Sequence, residues 1–119
     1  MAKILVCDDA MFMRQSLIRL IKSMGHEVIA EAENGIDCID KYQRNRPDLV
    51  LMDITMPDMN GIDATKKIME IDKNARIIMV SAMGQMDMVV SAVEAGAKDF
   101  VVKPFKEEVL TACIDINLK

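Results

Sequence analysis

The stretch Pro47-Asp48-Leu49-Val50-Leu51-Met52-Asp53-Ile54-Thr55-Met56-Pro57-Asp58-Met59-Asn60-Gly61 decides the fold. A Pro-Asp turn signal opens it. The apolar run that follows, residues 49–52, shows no polar alternation, which is the pattern of a parallel strand covered on both faces. Asp53 ends the run, and a carboxylate at the carboxyl end of such a strand lies where open α/β sheets place their ligands. An isolated aspartate in that position is more often a helix cap or a turn residue. Here Asp8 and Asp9 follow one further apolar run and Lys103 follows another.

Outward from this strand, hydrophobic period and turn residues divide the chain into alternating elements. Residues 3–7 read as a first strand. Residues 10–24 read as a helix that turns Phe12, Leu17, Leu20, Ile21 and Met24 inward and stops at Gly25. A short strand at 28–31 precedes a helix that starts at Asn34-Gly35 and uses Ile36, Ile39 and Tyr42. After Gly61 a third helix runs through Ile62, Ala64, Ile68, Met69 and Ile71. Residues 76–80 form a strand ending at Ser81, and residues 84–95 a helix stopped by Gly96. A fifth strand, 99–102, ends at Lys103-Pro104, and residues 106–118 supply the last helix.

Five strands and five helices in strict alternation predict one α/β domain over residues 1–119, a parallel sheet with right-handed crossovers and helices on both faces. Two strand orders compete at this size, the half-Rossmann and the flavodoxin-like. The turn after the first strand reads Asp8-Asp9-Ala10-Met11, which lacks the Gly-x-Gly-x-x-Gly cradle and would repel a pyrophosphate. The predicted order is therefore flavodoxin-like, 2-1-3-4-5.

The totals exclude several classes. The net charge is −4 over 119 residues, which opposes binding to nucleic-acid phosphates. No apolar run reaches the length of a membrane span, and the amino terminus passes straight into strand-like sequence, so a cytoplasmic protein is expected. Cys7, Cys38 and Cys113 are odd in number and lack a Cys-x-x-Cys pair, so they read as small apolar residues in a reducing compartment. The single histidine, His26, sits in a Gly25-His26-Glu27 turn and leaves a zinc site without ligands.

In the predicted order the first and third strands are neighbours, so Asp8, Asp9 and Asp53 converge at one sheet edge with Ser81 and Lys103. Two like charges about 4 Å apart at an effective dielectric near 20 repel by roughly 4 kcal/mol. Lys103 answers part of this. A hard cation with oxygen ligands answers the rest, and carboxylates beside an open crevice favour magnesium. These are also the parts needed to receive a phosphoryl group on Asp53, with Asp9 and Asp53 holding the ion, Asp8 at one remove, and Lys103 clamping a phosphoryl oxygen.

Asp8-Asp9, Asp53 within its Met-Pro-Asp-Met-Asn-Gly context, Ser81-Ala82, and Ala95 through Phe105 together resemble the receiver domain of two-component response regulators. The resemblance spans the whole chain and is strongest to the single-domain chemotaxis members. It implies phosphorylation of Asp53 by a partner histidine kinase, a magnesium requirement, and a further metal contact from the backbone carbonyl of Thr55. It implies that Thr55 and Met83 affect the lifetime of the acyl phosphate, and that the Lys103-Pro104 bond is cis. It implies a switch in which Ser81 moves toward the phosphoryl group and Phe100 fills the vacated space, plain core packing being the alternative for Phe100. The output surface would lie on the last two helices and the fifth strand, with Met86, Met88 and Val90 in or near it. A monomer acting on the flagellar motor switch is the expected partner arrangement. A receiver of another pathway or a phosphate sink remains open. A magnesium-dependent phosphatase is disfavoured, because Thr55 stands where its second acid is needed.

Overall fold

The computed structural model describes residues 1–82 and 87–119. Ten elements alternate: β1 (Lys3–Cys7), α1 (Met11–Ser23), β2 (Glu27–Ala32), α2 (Gly35–Asn45), β3 (Leu49–Met52), α3 (Gly61–Ile71), β4 (Ile77–Ala82), α4 (Met88–Ala95), β5 (Asp99–Lys103) and α5 (Glu107–Leu118). All strand pairs are parallel and the sheet order is β2-β1-β3-β4-β5, the flavodoxin-like arrangement expected above.

Strand parity splits the core into two layers. Leu5, Cys7, Val50, Met52, Ile77 and Met79 point to one face, where they meet Cys38, Tyr42, Ala64 and Ile68 of α2 and α3 and Ala92 of α4. Ile4, Val6, Leu49, Leu51, Ile78 and Val80 point to the other, against Leu17 and Ile21 of α1 and Leu110 and Ile114 of α5. All four residues of β3 are fully buried, which is why that strand shows no polar alternation. Side-chain caps open the two helices nearest it. Asn34 Oδ1 accepts from the Asp37 N–H and Asn60 Oδ1 from the Asp63 N–H, each satisfying a donor that the first turn leaves without a helical partner.

Two apolar residues at helix starts are exposed where the sequence expectation used them, while Leu17, Ile21 and Tyr42 are buried as expected. Phe12 is 82% exposed, and the buried positions of α1 are Arg14, Leu17 and Ile21. In α2, Ile36 is 56% exposed and Cys38 and Tyr42 take the inward positions. The reading of all three cysteines as separate apolar residues is also corrected. Cys7 and Cys38 face each other across β1 and α2 as a disulfide with Cα atoms 6.2 Å apart, while Cys113 alone is a buried free thiol. Burial and a hydrogen bond to Asp99 push the Cys113 thiol up to about 12. Met83 and Met86, given roles above, lie outside the described residues, as does the start expected for the helix before Gly96.

The loop after β3 is held by two close backbone approaches. The Gly61 N–H donates to the Ile54 carbonyl at 2.7 Å and the Gly35 N–H to the Met59 carbonyl at 2.9 Å. A Cβ on Gly61 would collide with the Asp53 carbonyl oxygen. Gly61→Ala is therefore expected to lower stability by roughly 1–3 kcal/mol, the cost of overpacking against rigid backbone, as a fall in the urea unfolding midpoint. An unchanged midpoint contradicts this packing.

Candidate functional site

Register brings the acids together. Cys7 of β1 pairs with Met52 of β3, so the residues that follow, Asp8 and Asp53, leave the sheet side by side. The Asp53 N–H donates to the Cys7 carbonyl at 2.9 Å and the Asp8 N–H to the Ala32 carbonyl at 3.0 Å. These bonds carry the ladder one residue past the strand ends. One carboxylate oxygen from each of Asp8, Asp9 and Asp53 lies within 4.8 Å of the others. Asp8 and Asp53 are buried and Asp9 is exposed.

On the other side of the crevice, β5 is paired with β4 so that Ala82 sits beside Lys103. The Lys103 Nζ donates to Asp8 Oδ2 at 2.8 Å and stands 3.6 Å from Asp53 Oδ2. The Lys103-Pro104 peptide is cis. Asp53 Oδ1 accepts from the Ile54 N–H at 2.8 Å and from the Ser81 hydroxyl at 3.1 Å. Ser81 is fully buried within β4 and is thus already bonded to Asp53, whereas the sequence reading has it approaching only after phosphorylation. Thr55 lies two residues beyond Asp53 on the exposed loop. Phe100 is partly buried on β5 against the α2–α4 layer of the core.

Against known proteins, the response regulator receiver domain profile matches residues 4–115. The chain belongs to that family. This receiver domain is 58% identical to the chemotaxis protein CheY of Thermotoga maritima over 104 residues, covering 87% of each chain. It is 53% identical to CheY of Bacillus subtilis over 116 residues, covering 98% of this chain and 97% of the other. Among solved structures it is similar to a chain of the CheX-CheY-BeF3-Mg+2 complex from Borrelia burgdorferi. There the identity is 38% and the TM-score 0.90, over 98% of this chain and 90% of that one. It is thus a two-component response regulator domain closely related to the CheY chemotaxis proteins. No helix among the described residues is long and apolar enough to cross a membrane.

The receiver site also contains a residue the sequence reading passed over. Arg14 is 5% exposed, and its Nη1 donates to the Asp8 backbone carbonyl at 2.7 Å while Nε pairs with Glu31 at 3.0 Å. The signal was its spacing. Arg14 lies three and seven residues before Leu17 and Ile21, on the one stripe of α1 that faces the sheet.

The donor set suits a hard divalent ion. Three carboxylates lie within 4.8 Å and one amine reaches only two of them, which leaves negative charge uncompensated in a crevice where the Asp9 carboxylate is exposed. The Asp53 carboxyl is held above the ordinary carboxylate range. Burial is the largest cause; the Lys103 charge opposes it, the Asp8 charge adds to it, and the bonds from Ser81 and Ile54 oppose it. Between the unfolded and the raised folded pKa, folded Asp53 binds more protons than the unfolded chain does. Its ionisation therefore destabilises the fold as pH rises through that window, and the deficit persists at neutral pH. In metal-free EDTA buffer at pH 7, Asp53→Asn, which keeps the acceptor for Ile54 and Ser81, is expected to unfold at higher urea than the parent. That gain shrinks as pH falls through the carboxylate range. A midpoint for the variant at or below the parent's at pH 7 contradicts this assignment.

Proposed function

We propose that this receiver domain accepts a phosphoryl group on Asp53 from the phosphohistidine of a partner histidine kinase and thereby switches its binding to an output protein. The observation that supports this most directly is the Asp53 carboxylate at the end of β3, near both Lys103 and the Asp8–Asp9 pair. A carboxylate is already ionised at neutral pH and needs no base to act as a nucleophile. A carboxylate oxygen attacks phosphorus, the P–N bond to the imidazole breaks, and the nitrogen leaves as a neutral ring once protonated.

Magnesium fits the acid cluster, and Asp8, Asp9, Asp53 and the backbone carbonyl of Thr55 would hold it. When bound, the ion would supply positive charge to offset the negative charge of a transferring phosphoryl group. The chain's own residues do the rest. Lys103 donates to a phosphoryl oxygen as a point charge. Because Lys103 also holds Asp8 at 2.8 Å, any movement toward a phosphoryl group is shared with the acid pair. Water cleaves the acyl phosphate slowly, which ends the signal without a dedicated catalytic acid.

Phosphorylation replaces one negative charge by about 1.5 to 2 and adds three acceptor oxygens. Ser81, buried and already donating to Asp53, reorients toward the larger group and draws on β4. Phe100, on the neighbouring strand and paired with Met79 of β4, responds by repacking. Having no hydroxyl, it needs no new hydrogen bond in either position.

The responding surface is the α4-β5-α5 face. It carries Met88, Val90 and Val93 on α4 and Val109 and Ile116 on α5, all exposed apolar residues. A shallow groove of about 460 Å³ on the same face is lined by Phe100, Val101, Val109, Ala112 and Ile116. Such a surface suits an amphipathic segment of the flagellar motor switch, with a different output protein or a phosphate-sink role as the other outcome of a binding test.

Incubation with acetyl phosphate or phosphoramidate is expected to label the parent in magnesium. Labelling should be lost on adding EDTA and in Asp53→Asn, and Lys103→Ala should reduce it by at least roughly tenfold, the scale of one lost charge-assisted contact. Intact-mass spectrometry reads all four. Equal labelling of Asp53→Asn and the parent would remove Asp53 from this role. Tighter binding of a motor-switch peptide to the phosphorylated form separates the chemotaxis output from the other pathways.

A further inference from the structure

We infer that Arg14 is a positioning residue for the metal site, aiming Asp9 by fixing the peptide that joins it to Asp8. The inference rests on the reading of Asp8, Asp9 and Asp53 as the ion's ligands. Asp8 is immobilised at every polar atom. Its N–H donates to the Ala32 carbonyl, Oδ1 accepts from the Ala10 N–H, Oδ2 from Lys103, and its carbonyl from Arg14 Nη1. Asp9 is different. It is exposed, and its carboxylate is within reach of the two buried acids, so its direction comes from the backbone it hangs on.

The Asp8 carbonyl belongs to the Asp8–Asp9 peptide plane, and that plane sets the orientation of the Asp9 N–Cα bond. Arg14 holds the carbonyl at 2.7 Å from a side chain that is only 6% exposed. The guanidinium is itself braced by Glu31 of β2 at 3.0 Å and by Glu33, just past the end of β2, at 3.5 Å. A rigid fork with donors in one plane can hold a carbonyl and a carboxylate on different elements at once; an ammonium on a flexible stem cannot hold that geometry. A purely structural alternative exists, in which Arg14 only staples α1 to β2 through the two glutamates. The bond to the Asp8 carbonyl separates the two roles, because the staple does not need it.

The test titrates magnesium into isotope-labelled protein and follows the amide resonances of Asp9 and Asp53, with urea unfolding in EDTA measured alongside. Arg14→Met and Arg14→Lys are both expected to weaken apparent magnesium affinity by roughly tenfold, the usual effect of losing a residue that orients a ligand. The Glu31→Gln/Glu33→Gln double variant loosens the staple but keeps the carbonyl bond, and it is expected to bind magnesium as the parent does. Parent-like affinity in both Arg14 variants overturns the inference, as does an equal loss in the glutamate double variant. If Arg14→Met does not fold, Arg14→Lys and the double variant still decide between the two roles. The phosphoacceptor reading fails separately, if the parent takes no label or Asp53→Asn takes as much. A parent that labels on Asp53 beside Arg14 variants of undiminished affinity leaves that reading intact and removes Arg14 alone.

Discussion

The constraint on which the site depends is electrostatic. Three carboxylates are held within 4.8 Å at one end of a parallel sheet, and the amine of Lys103 reaches two of them. The backbone ladder imposes this crowding, since Asp8 and Asp53 follow paired residues of β1 and β3 and cannot separate without breaking the bond from the Asp53 N–H to the Cys7 carbonyl. The fold thus keeps a locally unfavourable charge arrangement in place through the burial of its strands, and that burial holds the Asp53 carboxyl above the ordinary carboxylate range. Strain of this kind concentrates at functional sites, where a ligand relieves it.

Each layer of the core contributes to holding the acids. Because β3 is covered on both sides, its end is anchored by residues that face α2 and α3 and by residues that face α1 and α5. The charges at its tip are therefore borne by two hydrophobic layers, and neither α1 nor α3 could be lost without freeing the strand that carries Asp53.

Most of the architecture was legible in the residues alone. The apolar run before Asp53, the acids after β1 and the Gly-terminated helices were enough to predict all ten elements, their order in the sheet and the meeting of Asp8, Asp9, Asp53, Ser81 and Lys103. What was not legible was where along each helix the buried face begins. Phe12 and Ile36 are large and apolar, yet both lie in the first turn of their helices and are exposed. Arg14 was overlooked for the converse reason, since charge argues for solvent, and the Asp8 carbonyl with Glu31 and Glu33 at the end of β2 makes its burial favourable. The Cys7–Cys38 pair was hidden because its members are 31 residues apart and meet only when α2 packs on β1. The engagement of Ser81 with Asp53 was likewise a matter of strand register, β4 extending through Ala82 rather than stopping at Val80.

The bond from Gly35 to the Met59 carbonyl makes the domain mechanically lopsided. It bolts the start of α2 to the loop that follows Asp53, and the clearance is so small that a single methyl group on Gly35 would strike Met59. With Cys7 and Cys38 clamping the same helix to β1, the β2 side of Asp53 behaves as a fixed wall. If Asp53 takes up a phosphoryl group as proposed, the added bulk meets that wall on one side and Ser81 and β5 on the other. On that proposal, the unbraced flank is the one left to yield.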